Sequence, residues 1–376
     1  MNSVILSPLS DVAAISDHIR QWQQAFPASG VLALVAEGSN TEVPALQACL
    51  NELGVPLLGA VFPEIHHAGE FHRQGVLLIR LNPMCDFHRV VSLDGTQAET
   101  DQAIEKLAGE LRDRLDDAEP ATLFMLFDAL VPKIGSILEA LYLQLAESVH
   151  YAGANAGSET FQPMPCLFDN DHFVQNGLLA MLLKSHDGAV LEHSYQVPDQ
   201  LVAATSTEGN CIVNIDWKPA FEIYREKIQQ LYGVEVNREN FYDYAVHFPF
   251  GILRADDEVL VRIPVALEEN GSLFCVGEVP EHAVLTLLEA PQWEALKSTQ
   301  ILAERLVNKS KPMLTFYCAG RRLHLGEDAA ASELCELQQA ISNDQIFGAL
   351  SLGEIGSSQR GGYPLFHNAT LVCMSI

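Results

Sequence analysis

The chain has 376 residues, which allows one large domain or two smaller ones. Its 49 acidic residues outnumber 22 basic ones, and the formal charge of −27 repels the phosphates of nucleic acids and anionic lipids. No apolar run reaches the roughly 18 residues that a membrane helix needs, and no export signal is visible. The eight cysteines are scattered without a CxxC pair, so we expect reduced thiols and a cytoplasmic protein.

Strand and helix patterns alternate along the first 150 residues. Apolar residues at helical spacing predict amphipathic helices, most clearly in the stripe Ile104, Leu107 and Leu111. The predicted helices span 11–25, 43–53, 98–115 and 133–145. Short apolar runs predict strands at 3–6, 30–35, 55–62, 76–81, 90–93 and 122–127. Because strand–helix–strand units favour parallel pairing, we expect parallel strands in this part of the chain.

Strands then follow one another, which favours antiparallel pairing. They span 149–152, 164–168, 173–183 and 189–196. The small, polar residues of 198–210 predict a linker at the boundary between domains 1–205 and 206–376. Beyond it, the predicted helices span 219–231, 291–307 and 328–341, and the strands 259–266, 272–276, 283–287 and 313–318. The pattern predicts a mixed α/β (α+β) fold of two related halves, with parallel and antiparallel sheets flanked by helices.

A short segment recurs along the chain. Residues 58–65 carry Gly-Ala in a strand and then Glu-Ile, and residues 347–355 repeat this with one residue inserted. Residues 151–157 are a looser third copy. Glycine after a strand is also ordinary turn chemistry, so chance similarity is the competing interpretation. The functional interpretation is a duplicated half whose two loops face one cleft.

The C-terminal part of the chain resembles the C-terminal domain of the FIST family. The matching residues are 317–321 (Tyr-Cys-Ala-Gly-Arg) after a strand, Gly348-Ala349 with 352–355 (Leu-Gly-Glu-Ile), and 367–370 (His-Asn-Ala-Thr) before the last strand. Their order and spacing agree with the family pattern. Residues 249–252 (Pro-Phe-Gly-Ile) stand where the family begins its C-terminal half.

The N-terminal half is similar to the N-terminal domain of the same family. Gly59 and Glu64-Ile65 match a glycine-rich turn of the family, although Pro63 stands where the family has a glycine. Residues 153–183 resemble its turn, strand and hairpin. The resemblance covers nearly the whole chain and implies a FIST N-terminal-like domain over 1–205 and a FIST C-terminal-like domain over 206–376.

FIST proteins are regarded as intracellular sensors of small ligands, with amino acids as one proposed class. They are often linked to histidine kinases or cyclic-dinucleotide enzymes. Because the sequence contains no output domain, the resemblance implies a sensor that signals through a separate partner protein of this kind. Some stand-alone members bind haem and sense nitric oxide, so haem is the alternative cofactor. A homodimer is compatible with this role.

Arg321 and Glu354 are the first candidates for ligand recognition. A guanidinium group suits a carboxylate and a carboxylate suits an ammonium group, so the pair matches the two charged ends of an amino acid. The competing interpretation is that the two side chains form a structural ion pair at the domain seam. Asn368 and Thr370 can add neutral hydrogen bonds. Cys318 and Glu64 complete the predicted ligand-binding set.

Two groups of histidines come next. His247 stands among aromatic residues and is the candidate axial ligand if haem binds, and a partly buried histidine without a ligand is the competing interpretation. Without a CxxCH sequence, such a haem is non-covalent. His66, His67 and His72 cluster with Glu70 in a predicted loop beside Glu64 and form a metal-site candidate. We prefer solvated histidines there and assign no metal.

Catalysis is the third hypothesis. Cys318 lies near Arg321, and a nearby cation lowers the pKa of a thiol, as a Cys-dependent hydrolase requires. Against this, the sequence contains no GxSxG elbow, no GxGxxG after a strand and no GxxxxGK[ST]. We therefore expect a cytoplasmic ligand-binding sensor rather than an enzyme, with its site at the seam between the two halves, where pockets commonly occur.

Overall fold

A computed structural model describes residues 2–116, 119–254, 258–289, 291–293, 296–357 and 362–376. Within these ranges, one arrangement of strands and helices occurs three times. Each copy consists of an edge strand, a helix, a strand, one or two helices, a strand, a hairpin and a last strand. We call the copies units 1, 2 and 3. A further antiparallel sheet, the inserted sheet, interrupts unit 3 after its edge strand.

Units 1 and 2 follow one another directly. Unit 1 consists of β1 (Val4–Ser7), α1 (Val12–Ala25), β2 (Gly30–Ala36), α2 (Val43–Leu53), β3 (Leu57–Phe62), β4 (Ile65–His67), β5 (Glu70–His72) and β6 (Val76–Leu81). Unit 2 consists of β7 (His88–Ser92), α3 (Gln97–Arg112), β8 (Ala121–Asp128), α4 (Ile134–Leu145), β9 (His150–Ala156), β10 (Leu167–Asp169), β11 (Phe173–Val174) and β12 (Gly177–Lys184).

Unit 3 surrounds the inserted sheet in the sequence. The inserted sheet and its helices are β14 (Val202–Glu208), β15 (Cys211–Ile215), β16 (Lys218–Pro219), α5 (Ala220–Tyr232), α6 (Phe241–Ala245), β17 (Phe250–Leu253), β18 (Val259–Arg262), β19 (Pro264–Leu267), β20 (Leu273–Cys275) and β21 (Val284–Leu287). Unit 3 consists of β13 (Val190–Glu192), α7 (Ser298–Arg305), β22 (Met313–Cys318), α8 (Ala319–Leu325), α9 (Glu327–Ile341), β23 (Ile346–Ser351), β24 (Glu354–Gly356), β25 (Leu365–His367) and β26 (Leu371–Ser375).

The sheets of the three units share one strand order. Each sheet runs from the edge strand through the last strand to the two parallel strands, and then ends in the hairpin of another unit. The hairpin β4–β5 joins unit 3, β10–β11 joins unit 1, and β24–β25 joins unit 2. The units therefore exchange hairpins in a ring, and none of the three sheets is built from one unit alone.

The recurring Gly-Ala segment marks the second parallel strand of each unit. Gly59, Gly153 and Gly348 lie in the middle of β3, β9 and β23. A Cβ atom on Gly153 or Gly348 would collide with a main-chain oxygen of the neighbouring strand. Close strand approach therefore explains the glycines. The similarity of these segments is confirmed as structural, and the repeat has three copies rather than the two related halves predicted.

Aromatic side chains from all three units meet in the core. The ring of Phe316 lies 5.6 Å from that of Phe62 and 6.0 Å from that of Phe124, measured between centroids. All three residues are fully buried. Contacts of this kind bury large apolar areas, so each unit depends on the other two for its core.

The inserted sheet curls on itself. Its strand order begins with β18 and ends with β19, and these two strands are separated in sequence by Ile263 alone. Consecutive strands at opposite edges require the edges to lie close together. The predicted single strand at 259–266 is therefore wrong, because the chain passes from one edge to the other at residue 263.

Further predicted elements also differ from the structure. The predicted linker at 198–210 is wrong, because Val202–Glu208 forms β14 and its small side chains fit a strand. The predicted strand 173–183 is divided at Asn176, whose φ of 46° turns the chain. The predicted helix 291–307 is Ser298–Arg305, and residues 294–295 lie outside the described ranges. The division into 1–205 and 206–376 stays a prediction.

The mixed α/β class with parallel and antiparallel sheets flanked by helices is confirmed. In the part of the chain that the structure describes, no helix combines the length and apolar character needed to span a bilayer.

Candidate functional site

A cavity of about 540 Å³ lies at the seam between unit 2 and the inserted sheet, and we call it the seam cavity. Unit 2 contributes the loop after β8, the start of α4 and the end of β9. The inserted sheet contributes the β14–β15 turn, β19 and β20. The residues that line it are 129–134, Asn155, Phe161, 208–210, Val265, 274–277 and Phe366.

The loop after β8 is held in place by Asp128, the last residue of that strand. Asp128 is buried, and its carboxylate accepts hydrogen bonds from the main-chain N–H groups of Leu130 (2.9 Å) and Asn176 (2.7 Å). Its main-chain oxygen accepts another from Val131 at 3.0 Å. An acidic side chain at a strand end commonly organises a turn in this way. The turn places residues 129–134 against the inserted sheet.

Glu278 joins the inserted sheet to helix α4. Its carboxylate accepts hydrogen bonds from the main-chain N–H (2.9 Å) and the hydroxyl (2.6 Å) of Ser136 in the first turn of α4. The residue at the N-cap, Lys133, has a left-handed φ of 57° and offers no side-chain cap. A carboxylate from another part of the chain therefore satisfies the unpaired N–H groups and the positive end of the helix dipole.

Asn155 is a buried polar residue in the wall of the seam cavity. Its side chain is 1% exposed, and its Oδ1 has no hydrogen-bond partner among the described residues. Its main-chain groups are fully used, since its N–H donates to Gly353 O (2.8 Å) and its oxygen accepts from Leu352 N (3.0 Å). A buried polar atom without a partner is costly, so it is a place where a bound ligand gains free energy.

The rest of the cavity wall is mainly apolar. Phe161, Val265 and Phe274 line the cavity although each is 37–41% exposed in the chain. Large apolar side chains grouped around a concave surface are typical of ligand pockets. Two charged residues, Lys133 and Glu208, are exposed and also line the cavity. The site thus combines an apolar wall, one buried amide and two charges of opposite sign.

Arg321 has a different partner from the predicted one. Its guanidinium group pairs with Glu333 of α9 through Nη2–Oε1 (2.7 Å) and Nε–Oε2 (2.9 Å). Ser298 and Tyr317 also donate to the Glu333 carboxylate. Burial alone would raise the pKa of Glu333, but Arg321 beside it outweighs this effect and lowers the pKa. The predicted structural ion pair between Arg321 and Glu354 is therefore wrong, because Arg321 pairs with Glu333.

Glu354, Thr370 and Cys318 do lie together. The Glu354 carboxylate accepts hydrogen bonds from the hydroxyls of Ser351 and Thr370, each at 2.6 Å. Glu354 is fully buried, and this burial raises its pKa to about 7, although the two hydroxyls oppose the rise. Both carboxylate oxygens therefore accept a hydrogen bond from a hydroxyl group of the protein. Whether it also binds a ligand stays a prediction.

The thiol of Cys318 lacks the surroundings of a nucleophile. Cys318 is buried, and its Sγ accepts a hydrogen bond from the main-chain N–H of Ala369 at 3.1 Å. Burial raises the pKa of this thiol far above its usual value, and the nearby Glu354 raises it further. Since the thiolate is the reactive form, this environment disfavours the hydrolase hypothesis.

Asn368 lies beside the Glu354 cluster, and Glu64 lies elsewhere. Asn368 is buried next to this cluster, where its Nδ2 donates to the main-chain oxygen of His367 at 3.0 Å and its Oδ1 has no described partner. Glu64 forms ion pairs with Arg322 (2.9 Å) and Arg73 (3.2 Å). Neither residue lines the seam cavity. The structure therefore does not bring the predicted ligand-binding set to one point.

His247 forms a pair with His324, with 2.6 Å between their Nδ1 atoms. His324 Nε2 lies 3.1 Å from the main-chain oxygen of Pro291, which can only accept a hydrogen bond. The neutral His324 ring must then accept at Nδ1, so His247 Nδ1 donates to it. This arrangement leaves His247 Nε2 as a bare nitrogen with no described partner, on a half-buried ring.

The histidines of the predicted metal candidate do not converge. They lie in the hairpin β4–β5 rather than in a loop, and residues 65 to 67 alternate between the two faces of the hairpin. His66 is buried with its Nε2 near the main-chain oxygen of Thr315 (3.0 Å), and burial lowers its pKa to about 4. His67 is directed to the other face. The described residues contain no group of three or more metal-ligating side chains.

The sequence analysis did not select Asn155, although the sequence carries a signal for it. The position after Gly-Ala is Val61 in unit 1 and Leu350 in unit 3, and it is Asn155 in unit 2. An asparagine in a buried strand where the other copies are apolar is out of place unless it has a partner or a function. Comparing the three copies position by position would have identified the residue.

The fold and the site together define a mixed α/β protein with a ligand-sized cavity between two structural parts. The model of the FIST N domain matches residues 11–218, and that of the FIST C domain matches residues 220–357. The chain therefore belongs to the FIST family. FIST domains are small-ligand-sensing domains of signal transduction, which is the general class of this protein. No curated protein matches the chain.

Proposed function

We propose that this protein senses an amino acid with an apolar side chain, which binds in the seam cavity. The observation that carries the proposal is the buried carboxamide of Asn155, whose Oδ1 has no described partner. Because Oδ1 is buried, an N–H or O–H group of a ligand would satisfy this atom once the Asn155 side chain rotates toward the cavity. The cavity of about 540 Å³ is in the range of small-molecule sites and is larger than one amino acid needs, so ordered water would share it.

The charges at the cavity support an amino acid over a simple hydrocarbon. Lys133 and Glu208 both line the cavity and are exposed, so each can pair with one charged end of an amino acid. Phe161, Phe274 and Val265 provide apolar surface for its side chain. The proposal keeps the predicted ligand class and the predicted location at a seam, but it moves recognition away from Arg321 and Glu354.

Ligand binding at this place would change how the inserted sheet is held against unit 2. The cavity is bounded by both parts, and Glu278 already links them through Ser136 at the start of α4. A ligand that contacts both walls favours the arrangement in which they are close. We propose that a separate partner protein, a histidine kinase or a cyclic-dinucleotide enzyme, responds to this difference in the cytoplasm.

Calorimetric titration with L-leucine and L-phenylalanine tests the site. We expect Asn155→Val, which introduces the residue type found in unit 1, to weaken binding about tenfold by removing one hydrogen bond. Phe274→Ala should weaken it as well through lost apolar contact. The matched control is Glu354→Gln, which lies outside the cavity and should leave affinity unchanged.

Two results would contradict the proposal in different ways. If Glu354→Gln abolishes binding and Asn155→Val does not, recognition belongs to the cluster around Glu354. If neither amino acid binds the wild-type protein, the ligand class is wrong.

A haem-based nitric oxide sensor is the second candidate, favoured by the bare Nε2 of His247. A ligating histidine commonly donates its other ring nitrogen to a fixed partner, as His247 Nδ1 does to His324. His247 would be the axial ligand, and bound haem would supply the iron that takes up nitric oxide. The described residues that line the seam cavity include no histidine, so this haem would bind elsewhere.

Adding haemin to the purified protein tests the second candidate. A Soret band that His247→Ala removes, and that the exposed control His282→Ala retains, is the expected result. A wild-type protein without a Soret band rules it out.

A further inference from the structure

A second cavity, of about 460 Å³, lies where the last strands of the three units end. Strands β6 and β12 end at Leu81 and Lys184, and β26 is followed by Ile376. All three of these residues line the cavity. We call it the basal cavity. It shares no lining residue with the seam cavity, so the two are separate places in the molecule.

Arg80 lines the basal cavity without a polar partner. Its guanidinium carbon lies 3.9 Å from the ring centre of Phe26 and 5.7 Å from that of Trp22. Its Nε and Nη1 atoms are buried and make no hydrogen bond, and no ion pair of Arg80 occurs within the described residues. The aromatic rings stabilise the charge partly, but they do not satisfy in-plane N–H donors. The guanidinium group therefore lacks an acceptor.

The other charged groups of the cavity do not supply that acceptor. Lys184 pairs with Asp86 at 3.0 Å, so those two charges compensate each other. Both ring nitrogens of His186 are occupied, Nε2 by the main-chain oxygen of Ser375 at 2.7 Å and Nδ1 by the Thr122 hydroxyl at 2.8 Å. These contacts leave the cavity with a net excess of positive charge.

Lys311 adds to that excess. It is exposed, it lines the basal cavity, and its ammonium group has no partner among the described side chains. Ile376 also lines the cavity, and no ion pair joins its carboxyl group to Arg80 or Lys311 in the described part of the chain. Arg80 and Lys311 thus make no described ion pair at a cavity that keeps a net positive charge beside the Ile376 carboxylate, in a protein with a formal charge of −27.

We propose that the basal cavity binds a small anion through Arg80 and Lys311. The positive guanidinium group attracts an oxygen of a carboxylate or a phosphate group, and an ammonium group adds a second positive contact. Met84, Pro83 and Pro312 line the same cavity and provide apolar contact for the body of an organic anion. The ligand is thus a carboxylate or phosphate compound, bound independently of the amino acid in the seam cavity.

Calorimetric titration with inorganic phosphate and with benzoate, at constant ionic strength, tests the proposal. Inorganic phosphate represents the phosphate class, and benzoate represents an apolar carboxylate. We expect at least one of them to bind to the wild-type protein. Arg80→Gln should weaken that binding at least tenfold, and Lys311→Gln about threefold. The matched control Lys309→Gln makes the same charge change two residues away, outside the cavity lining, and should bind as wild type does.

The results separate this site from the seam cavity and from a folding defect. Asn155→Val should bind the anion with unchanged affinity. Arg80 packs on two aromatic rings, so the binding result for Arg80→Gln counts only if its circular dichroism matches that of the wild type. If it does not match, the exposed Lys311→Gln decides. The proposal is overturned if wild type binds neither probe, or if Lys311→Gln and Lys309→Gln bind equally well.

Discussion

Glu354 is a buried carboxyl group whose partners come from the end of β23, in a neighbouring sheet, and from the turn before β26. Ser351 and Thr370 donate to it at 2.6 Å each. Because no cation pairs with it in the described residues, burial is the largest influence and raises its pKa to about 7. The folded protein thus holds a proton here that the unfolded chain releases near its ordinary pKa of 4.5.

This difference predicts a pH-dependent stability. Between pH 4.5 and 7 the folded state binds more protons, so the free energy of unfolding falls as pH rises, by on the order of 3 kcal/mol in total. Glu354→Gln removes the titrating group and should lose this slope, which makes the variant gain stability over wild type above pH 7. Urea denaturation at pH 5, 6, 7 and 8 measures the effect. The exposed control Glu281→Gln should keep the wild-type slope. If Glu354→Gln also keeps it, the pKa of Glu354 is not raised in the folded protein.

Single residues also show what the sequence could and could not predict. Residue type indicated that Arg321 and Glu354 are functional or paired, but the partner of Arg321 is Glu333, twelve positions later on α9. Pairing depends on which face of a helix packs on the sheet, and one sequence does not fix that contact. Asn155 was missed for a different reason, since the sequence does mark it through the apolar Val61 and Leu350 at the equivalent positions of units 1 and 3.

At the scale of elements, hydrophobic patterns predicted the buried strands well. The predicted strand 313–318 is β22 to the residue, and the predicted helix 43–53 is α2. Errors occur where one residue changes the chain direction inside an apolar run, as at Asn176 or Ile263. The spacing of apolar residues indicates which residues are buried, but it does not indicate where the chain turns. The small residues of β14 caused the opposite error, because they predicted a loop where the structure has a strand.

Helix α4 provides a test at this scale because its cap comes from another element. Glu278→Ala removes the acceptor for two groups of Ser136, so we expect a loss of about 1 kcal/mol in the free energy of unfolding. Thermal or urea denaturation measures it. The control is Glu281→Ala, an exposed glutamate three residues later that should change stability little. Equal stability of the two variants would show that Glu278 does not cap the helix.

The molecule as a whole is organised by exchange between units. Strand β4 pairs with β23 and β24 pairs with β9, so residues from both predicted domains share sheets. Strand β10 pairs with β3 within 1–205. The sequence showed the three related segments but not where their hairpins pair. Such pairings join residues far apart in sequence, and short-range patterns carry no information about them.

The exchange predicts that the fragment 1–205 does not fold by itself. Without the rest of the chain, β4 loses β23, β9 loses β24, and the rings of Phe62 and Phe124 lose contact with Phe316. Unpaired strand edges and exposed apolar side chains favour aggregation over a stable fold. We therefore expect 1–205 to show no cooperative thermal unfolding in circular dichroism.

The fragment 197–289, which contains the inserted sheet, is the matched comparison and should behave differently. Among the described buried residues of its hydrophobic core, Leu365 alone comes from outside 202–287. A segment that supplies its own core can fold as a unit. Cooperative unfolding of 197–289 together with none for 1–205 supports a ring of three interdependent units with an added sheet. Cooperative unfolding of 1–205 would instead support two independent halves, and the exchanged hairpins would then contribute little to stability.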